Sequence, residues 1–439
     1  MKPAVSSIAA WMLSTLALPA DGPAKSAYDY PTEAVRVPLV GQIFSPLTRE
    51  QAKLGVPEIR LISKQEEEIE YIGDKKALVD DGLWKESPSR IIYHGGKYHV
   101  WFMHLDTRIK NEGLGFRAKN HYLTSSDGYK WEVIDQMPNG EPGSFDDVWR
   151  EGLQVVKFDG KFWMFYAGNT RDPSKTLYGS KVNAYGIGLL VADNPAGPWK
   201  RAVEGPLFTR SEDPEAWDYD QVNNPYPVYF KGKWFVYYKA SNRSINGGSG
   251  RTWQGVAVAV AGSITGPYTK YEGNPICDGH GSFAWAYRGG IALMPFGYDL
   301  SEGRIHWSPD GLHFHNVDDP VSRGIKTPVF SSLYLPNDPL CGDPVTDKEP
   351  DQFWGLETRQ TANSNPVDWK LFRGTLTFNP VRKEIFTDEL KKKIEGMDKE
   401  MRPVYWREVY DPGKIPKPVK ALGKDYPATP PHQNTNGIL

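Results

Sequence analysis

Three stretches of this chain, "GKYHVWFMH", "GKFWMFYAG" and "GKWFVYYKA", begin at Gly96, Gly160 and Gly232 and repeat one pattern: a turn glycine, a lysine, then a short aromatic-rich strand. Their spacings, about 64 and 72 residues, are on the scale at which a repeat means an array of structural units. A repeated hairpin of this kind cannot bury both its faces alone, so it must stack on neighbouring copies.

The repeated unit is larger than the hairpin. "SPSRIIYHGGKYHVWFMH" is followed by "NHYLTSSDGYKWEVI", and "EGLQVVKFDGKFWMFYAGN" by "YGIGLLVADNPAGPWKRA". "NNPYPVYFKGKWFVYYKA" pairs with "GVAVAVAGSITGPYTKY", and "GSFAWAYRGGIALMPFG" with "RIHWSPDGLHFHNV". Each copy reads strand, tight turn, strand, loop, strand, turn, strand, which is a propeller blade. A weaker fifth unit runs from Phe353 to Asn379 after an irregular stretch. The expected fold is therefore an all-β, five-bladed β-propeller spanning residues 80–380.

The flanks read differently. Residues 1–20, "MKPAVSSIAAWMLSTLALPA", have the lysine, short apolar run and small residues of a secretory signal peptide, which predicts a secreted or periplasmic protein. Residues 21–79 form an N-terminal extension, in which Leu47–Lys76 is charged and partly periodic and predicts a helical arm. Residues 381–439 begin with "DELKKKIEGMDKEM" and end Pro-rich, predicting a helical C-terminal strap with a loose tail. No other stretch has the length of a membrane span.

With 24% charged residues and a net charge of -2, the chain carries no field to collect nucleic acid. Aromatics at 13%, including 15 tryptophans, suit both strand packing and flat surfaces on which sugar rings stack. Cys277 and Cys341 are the only cysteines: one bridge is conceivable, a disulfide framework is not. No cofactor is expected, and no ligand cluster of recognisable spacing demands a metal, although a calcium or magnesium ion in the channel stays open.

First strands of propeller blades line the central channel, and their starts gather at one mouth, where ligand sites form. The residues delivered there are "DDGLWKES", "SFDDVWREG", "EAWDYDQVNN", "CDGHGSFAW" and "FWGLETR". Carboxylates, a histidine, amides and tryptophans converge, which glycoside hydrolysis needs: an acid for the leaving oxygen, a base or nucleophile, and platforms for the sugar. His280, between two glycines and outside any apolar periodicity, reads as a general acid or base. "SSDGYKW" at Ser125 and "SPDGLHF" at Ser308 read as plain Asp-Gly turns.

At these residues the chain resembles five-bladed propeller glycosidases, most closely glycoside hydrolase family 117, the exo-acting α-1,3-(3,6-anhydro)-L-galactosidases, with families 43 and 32 related. The resemblance runs from about Lys85 to about Asn379 on "SPSRIIYHGGKYHVWF", "GSFDD", "WDYDQVNNPYPVYFKGKWFVYYK", "GHGSFAWAYRGGIALM" and "FWGLETR". It implies a terminal-sugar hydrolase acting on algal oligosaccharides, and a dimer formed through the N-terminal arm. His280 matches the family's acid histidine. Ser87 and Asn224 stand before prolines where the family pattern has aspartates, Glu151-Gly152 stands where an aspartate begins blade two, and Gly281 follows His280 where a carboxylate often does.

The catalytic set is therefore expected from neighbouring positions: His280 as acid, Glu151 as base or nucleophile, Glu86 and Asp220 as partners. Trp149, Arg150, Trp217, Asp218, Asn223, Asn224 and Trp285 are the expected substrate contacts. Two other readings stay open: a family-43-like α-L-arabinofuranosidase or β-xylosidase, and a non-catalytic glycan-binding propeller.

Overall fold

Each repeated hairpin turns on two residues of positive φ: Gly95 (58°) and Gly96 (79°), Asp159 (50°) and Gly160 (71°), Lys231 (47°) and Gly232 (77°). Two left-handed residues make a type I′ turn, whose twist matches that of the flanking strands. The computed structural model describes residues 61–80, 84–106, 117–171, 182–242, 253–278, 281–287, 289–296, 306–316, 332–345, 352–361 and 368–378. In it these turns join the first and second strands of three blades.

Five sheets form the ring. Blade one pairs Trp84–Glu86 and Ile92–His94 with Lys97–Asp106, then adds Arg117–Ser125 and Lys130–Met137. Blade two runs Trp149–Phe158, Lys161–Arg171, Val182–Ala192, with Lys200–Arg201 and Phe208–Thr209 sharing the outer place. Blade three runs Gln221–Phe230, Lys233–Asn242, Trp253–Ala261, with Thr269–Lys270 and Cys277–Asp278 outside. Blade four is Gly281–Tyr287, Gly290–Phe296, His306–Ser308 and His315–Asn316.

Blade five pairs Gln352–Thr361 with Asp368–Phe378, and a bridge from Tyr334 to Trp354 extends it inward. Its outer strand comes from the other end of the chain: Leu61–Glu68 lies antiparallel to Asp368–Phe378. Ile69 is then buried in the core, and Glu70–Ile72 runs parallel to Lys130–Met137 of blade one. One short N-terminal segment thus ties the last blade to the first.

This corrects the expected helical arm for residues 61–72, which are strands. Glu67, Glu68 and Glu70 are exposed here while Ile69 is buried, so a run as charged as "KQEEEIEY" can still be strand at a sheet edge. Residues 47–60 of the expected arm, the signal peptide and the C-terminal strap lie outside the described residues. The Asp-Gly turns are as expected: Ser125 Oγ accepts from Gly128 N at 2.7 Å, and Ser308 Oγ from Gly311 N at 2.8 Å. Each connects the third strand of its blade to the fourth.

The channel is closed at the hairpin end. The segment Pro336–Val345 folds back on itself, with Val345 N donating to Pro336 O at 2.8 Å and Asp343 N to Tyr93 O at 2.7 Å. Asp343 accepts from Lys157 Nζ and from the Gly95 amide, and lies 2.9 Å from His94 Nδ1. Cys341 in this segment is a buried free thiol, pushed up to about 12 by burial, with Asp338 adding to the effect. It therefore forms no bridge with Cys277.

Above this plug sits Arg90, 1% exposed. Its backbone amide donates to Gln154 Oε1 of blade two at 2.7 Å, and Nη2 donates to Pro227 O of blade three at 2.9 Å and to Ala284 O of blade four at 3.4 Å. Nη1 lies 3.6 Å from Asp338 Oδ2, and the guanidinium stacks 4.8 Å above the Tyr226 ring. Burial works against its charge, but Tyr226, Cys341 and Asp338 outweigh it and hold its pKa above the ordinary arginine value. Arg90→Met would strand two carbonyls and a buried carboxyl, so it should cost about 3–5 kcal/mol of stability. Chemical denaturation measures this; a loss below about 1 kcal/mol, the size of one ordinary hydrogen bond, would show that Arg90 does not hold the blades together.

Candidate active site

The open end of the channel is built on three equivalent irregularities. Ser87 (φ 50°), Gly152 (φ 60°) and Asn224 (φ 46°) each sit left-handed near the start of a first strand. The ladder shifts register there, between Glu151 and Gln154 in blade two and between Asn223 and Tyr226 in blade three. Such bulges re-aim side chains next to functional sites. Gly152 is also required for a second reason: a Cβ there would stand 2.8 Å from both the Cα and Oδ1 of Asn224. The first strands of blades two and three meet at this contact.

Glu151 precedes the bulge and is buried, with 7% of its surface exposed. Trp149 Nε1 donates to Glu151 Oε2 at 2.9 Å. Burial raises the proton affinity of this carboxyl, while the Lys239 charge and the Trp149 hydrogen bond pull it back. A carboxyl in that position is a stronger base than an exposed glutamate and a ready proton acceptor.

The other expected residues divide. Asn223 and Asn224 are buried at the mouth, with Asn223 Oδ1 accepting from the Asn224 amide at 2.5 Å, which holds the bulge. Asp220 is half-buried, and its amide donates to Ser241 O at 2.9 Å where the chain enters blade three. Glu86 lies on Trp84–Glu86 opposite Met103; its side chain and His280 fall outside what is described.

Five expected contacts pack into the scaffold. Asp218 is buried and paired with Lys270 Nζ at 2.5 Å, which pins the outer strand of its own blade. Arg150 Nε bonds Asp146 at 2.7 Å and Nη1 bonds Pro138 O at 3.0 Å, with the guanidinium over Tyr166. Trp285, 1% exposed, stacks on Phe283 and meets Phe353 edge-on, so it is core and no platform for a sugar. Trp217 is half-buried against Tyr238, and Trp149 is buried behind Glu151.

Asp146 and Asp218 are the same device twice. Each precedes a first strand and binds a cation on the outermost strand of its blade, Arg201 in one case and Lys270 in the other. An aspartate before a blade thus braces it.

Lys239 escaped the sequence reading, and Glu357 lies in the "FWGLETR" stretch without having been singled out there. Lys239, 1% exposed on Lys233–Asn242, is the ladder partner of Asn223. Glu357, 3% exposed, lies on the strand of blade five that returns from the plug. The available signal was a charge inside an aromatic strand, "FVYYKAS" and "FWGLETR". Among the described residues, no group of His, Cys, Asp and Glu could hold a metal ion, and no helix is long and apolar enough to cross a membrane.

The five-bladed fold is similar to that of solved structures. A family 117 glycoside hydrolase of the marine bacterium Zobellia galactanivorans shares the fold, with 17% identity, a TM-score of 0.56, and coverage of 78% of this chain and 100% of that one. An α-L-arabinofuranosidase from Podospora anserina in complex with cellotriose gives 10% identity and a TM-score of 0.39, covering 75% and 98%. A family 32 β-fructofuranosidase of Bombyx mori gives 12% and 0.41, covering 71% and 64%. No family model and no curated protein matches the chain.

Proposed function

We propose that this chain is a secreted, exo-acting glycoside hydrolase that removes terminal sugars from algal oligosaccharides, with 3,6-anhydrogalactose the first substrate to test. The observation that carries this reading is the closed channel. Arg90 blocks it three residues below the Ser87 bulge, a depth of roughly 10 Å of extended chain. A pocket of that depth takes the end of a sugar chain and cannot thread a polymer.

In this reading His280 protonates the leaving oxygen and Glu151 is the base or nucleophile. Glu86 and Asp220 orient the acid or the sugar, and Asn223 and Asn224 meet hydroxyls. In this reading the N-terminal arm supplies the surface for a second copy of the chain.

One observation favours a second reading. Ser87, Gly152 and Asn224 occupy the three bulges, and none carries a carboxylate. A propeller of this kind could bind glycans without cutting them. Incubating the protein with agar-derived oligosaccharides ending in 3,6-anhydrogalactose distinguishes the two: the hydrolase releases the terminal monosaccharide, whereas binding by calorimetry without release would establish the glycan-binding propeller.

A further inference from the structure

We propose that Asn169 is a positioning residue for Glu151: a fully buried amide on the second strand of blade two whose Nδ2 seats the carboxylate beside Trp149 and fixes the direction of its reactive oxygen. The inference rests on the reading of Glu151 as the base.

The ladder of blade two sets the two side chains on one face. Trp149 stands opposite Asn169, Arg150 opposite Gly168 and Glu151 opposite Ala167, and the register shifts only after Glu151. Side chains alternate along a strand, so Trp149, Glu151, Ala167 and Asn169 project together. Glu151 and Asn169 are then diagonal neighbours across the pair, a separation that a glutamate spans. Ala167 shares one apolar cluster with Val222, Tyr238 and Ala240 of blade three, so this face is turned to the seam at which Gly152 meets Asn224.

Asn169 is 0% exposed, and a buried amide is costly unless something uses it. Its backbone carbonyl accepts from Val148 N at 3.1 Å, but its Oδ1 and Nδ2 make no hydrogen bond of full geometry with a described group. Val222 and Ala240 bring no polar side-chain atom to the seam, and Tyr238 lies against Phe208 and Trp217. The surrounding charges are engaged elsewhere. Arg150 is held by Asp146 and Asp218 by Lys270, while Lys239 lies on the face of its strand shared with Phe235 and Tyr237, which packs on blade four.

What the amide shares its face with is the Glu151 carboxyl. Burial raises the proton affinity of that carboxyl, and the Asn169 amide is among the groups that hold it down. Contacts of this kind are often loose in the free enzyme and tighten when substrate binds. Trp149 Nε1 already donates to Oε2 at 2.9 Å. One donor lets a carboxylate turn about its last bond; two fix it, and a base works only when it is held in the right geometry to the proton it takes.

The test uses the full chain without sugar, so it does not depend on turnover. The Glu151 carboxyl is followed by carbon-13 NMR across pH, with Glu151→Gln assigning the resonance. Asn169→Leu keeps the volume and removes the donor, so the titration should move upward by roughly one pH unit, the share of one donor. Asn169→Asp sets a like charge in the same place and should move it further up. A titration unchanged in Asn169→Leu would overturn the proposal, as would one that aspartate raises no more than leucine does.

Should these variants not fold, the wild type decides. The side-chain amide protons of Asn169 should shift across pH with the midpoint of the Glu151 carboxyl and stay level in Glu151→Gln; amide protons that stay level in the wild type overturn the proposal. An asparagine that only fills space would alter the melting temperature and leave these titrations where they are. A protein that binds sugars and cleaves none would still show the linked titrations, so failure of the hydrolase reading and failure of this one remain separate results.

Discussion

Glu151→Gln and His280→Ala should each lower turnover of the natural oligosaccharide by about 10²–10⁴-fold, the usual loss when a positioned acid or base is removed. Glutamine keeps the shape of Glu151 and an oxygen to accept from Trp149 Nε1, so the unfolding transition should stay near that of the wild type. Binding should also survive, because the pocket walls are unchanged. The pH profile gives the sharper result. A base works only when deprotonated, and burial raises the proton affinity of Glu151, so wild-type activity should fail as pH drops through that raised value. Residual activity of Glu151→Gln should lack this acid limb. A substrate with a good leaving group needs little protonation, so it should partly rescue His280→Ala and leave Glu151→Gln unrescued. Full activity in both variants would remove both assignments.

Deleting Leu61–Ile72 should abolish cooperative folding. The segment supplies the outer strand of blade five, paired from Leu61 with Phe378 to Glu68 with Phe372, and Lys370 Nζ meets Glu68 at 2.7 Å. Ile69 enters the main core and its amide donates to Leu371 O at 3.1 Å, after which Glu70–Ile72 crosses to blade one. Without it, Asp368–Phe378 becomes an open edge, which invites association with other chains. Ile69→Ala alone should cost about 2–5 kcal/mol. Calorimetry and sedimentation on the deletion read the outcome, with a truncation ending at Pro57 as control. A deletion that melts cooperatively as a monomer at the wild-type temperature would show that the ring closes without this strand.

The two outcomes show which parts of the molecule its sequence exposes. The hairpins were legible because a type I′ turn restricts residue choice, so glycine and the aromatic run after it repeat wherever the same corner recurs. The strand Leu61–Glu68 was not, since Glu67 and Glu68 are exposed and the buried Ile69 that follows them gives no alternation to read. Its partner lies some 300 residues away, beyond any local periodicity.

The site divides the same way. Glu151 was read at the start of a strand, and it lies there, just ahead of the bulge. Trp285 could not be placed, because how far a residue sits down the channel decides whether an aromatic ring is platform or core, and that depth depends on neighbouring blades. Gly152 reads in sequence as a weak point in a strand. Its role appears only when Asn224, from the next blade, occupies the space a side chain would need.

The central claim is that the mouth above Arg90 receives the end of a sugar chain beside Glu151. The most direct test is a crystal structure of Glu151→Gln soaked with an agar-derived oligosaccharide ending in 3,6-anhydrogalactose. The account predicts the terminal sugar seated between residue 151 and Asn224, its glycosidic oxygen facing outward toward His280 and the rest of the chain leaving through the mouth. An oligosaccharide lying across the outer rim, with the pocket above Arg90 left unfilled, would contradict it.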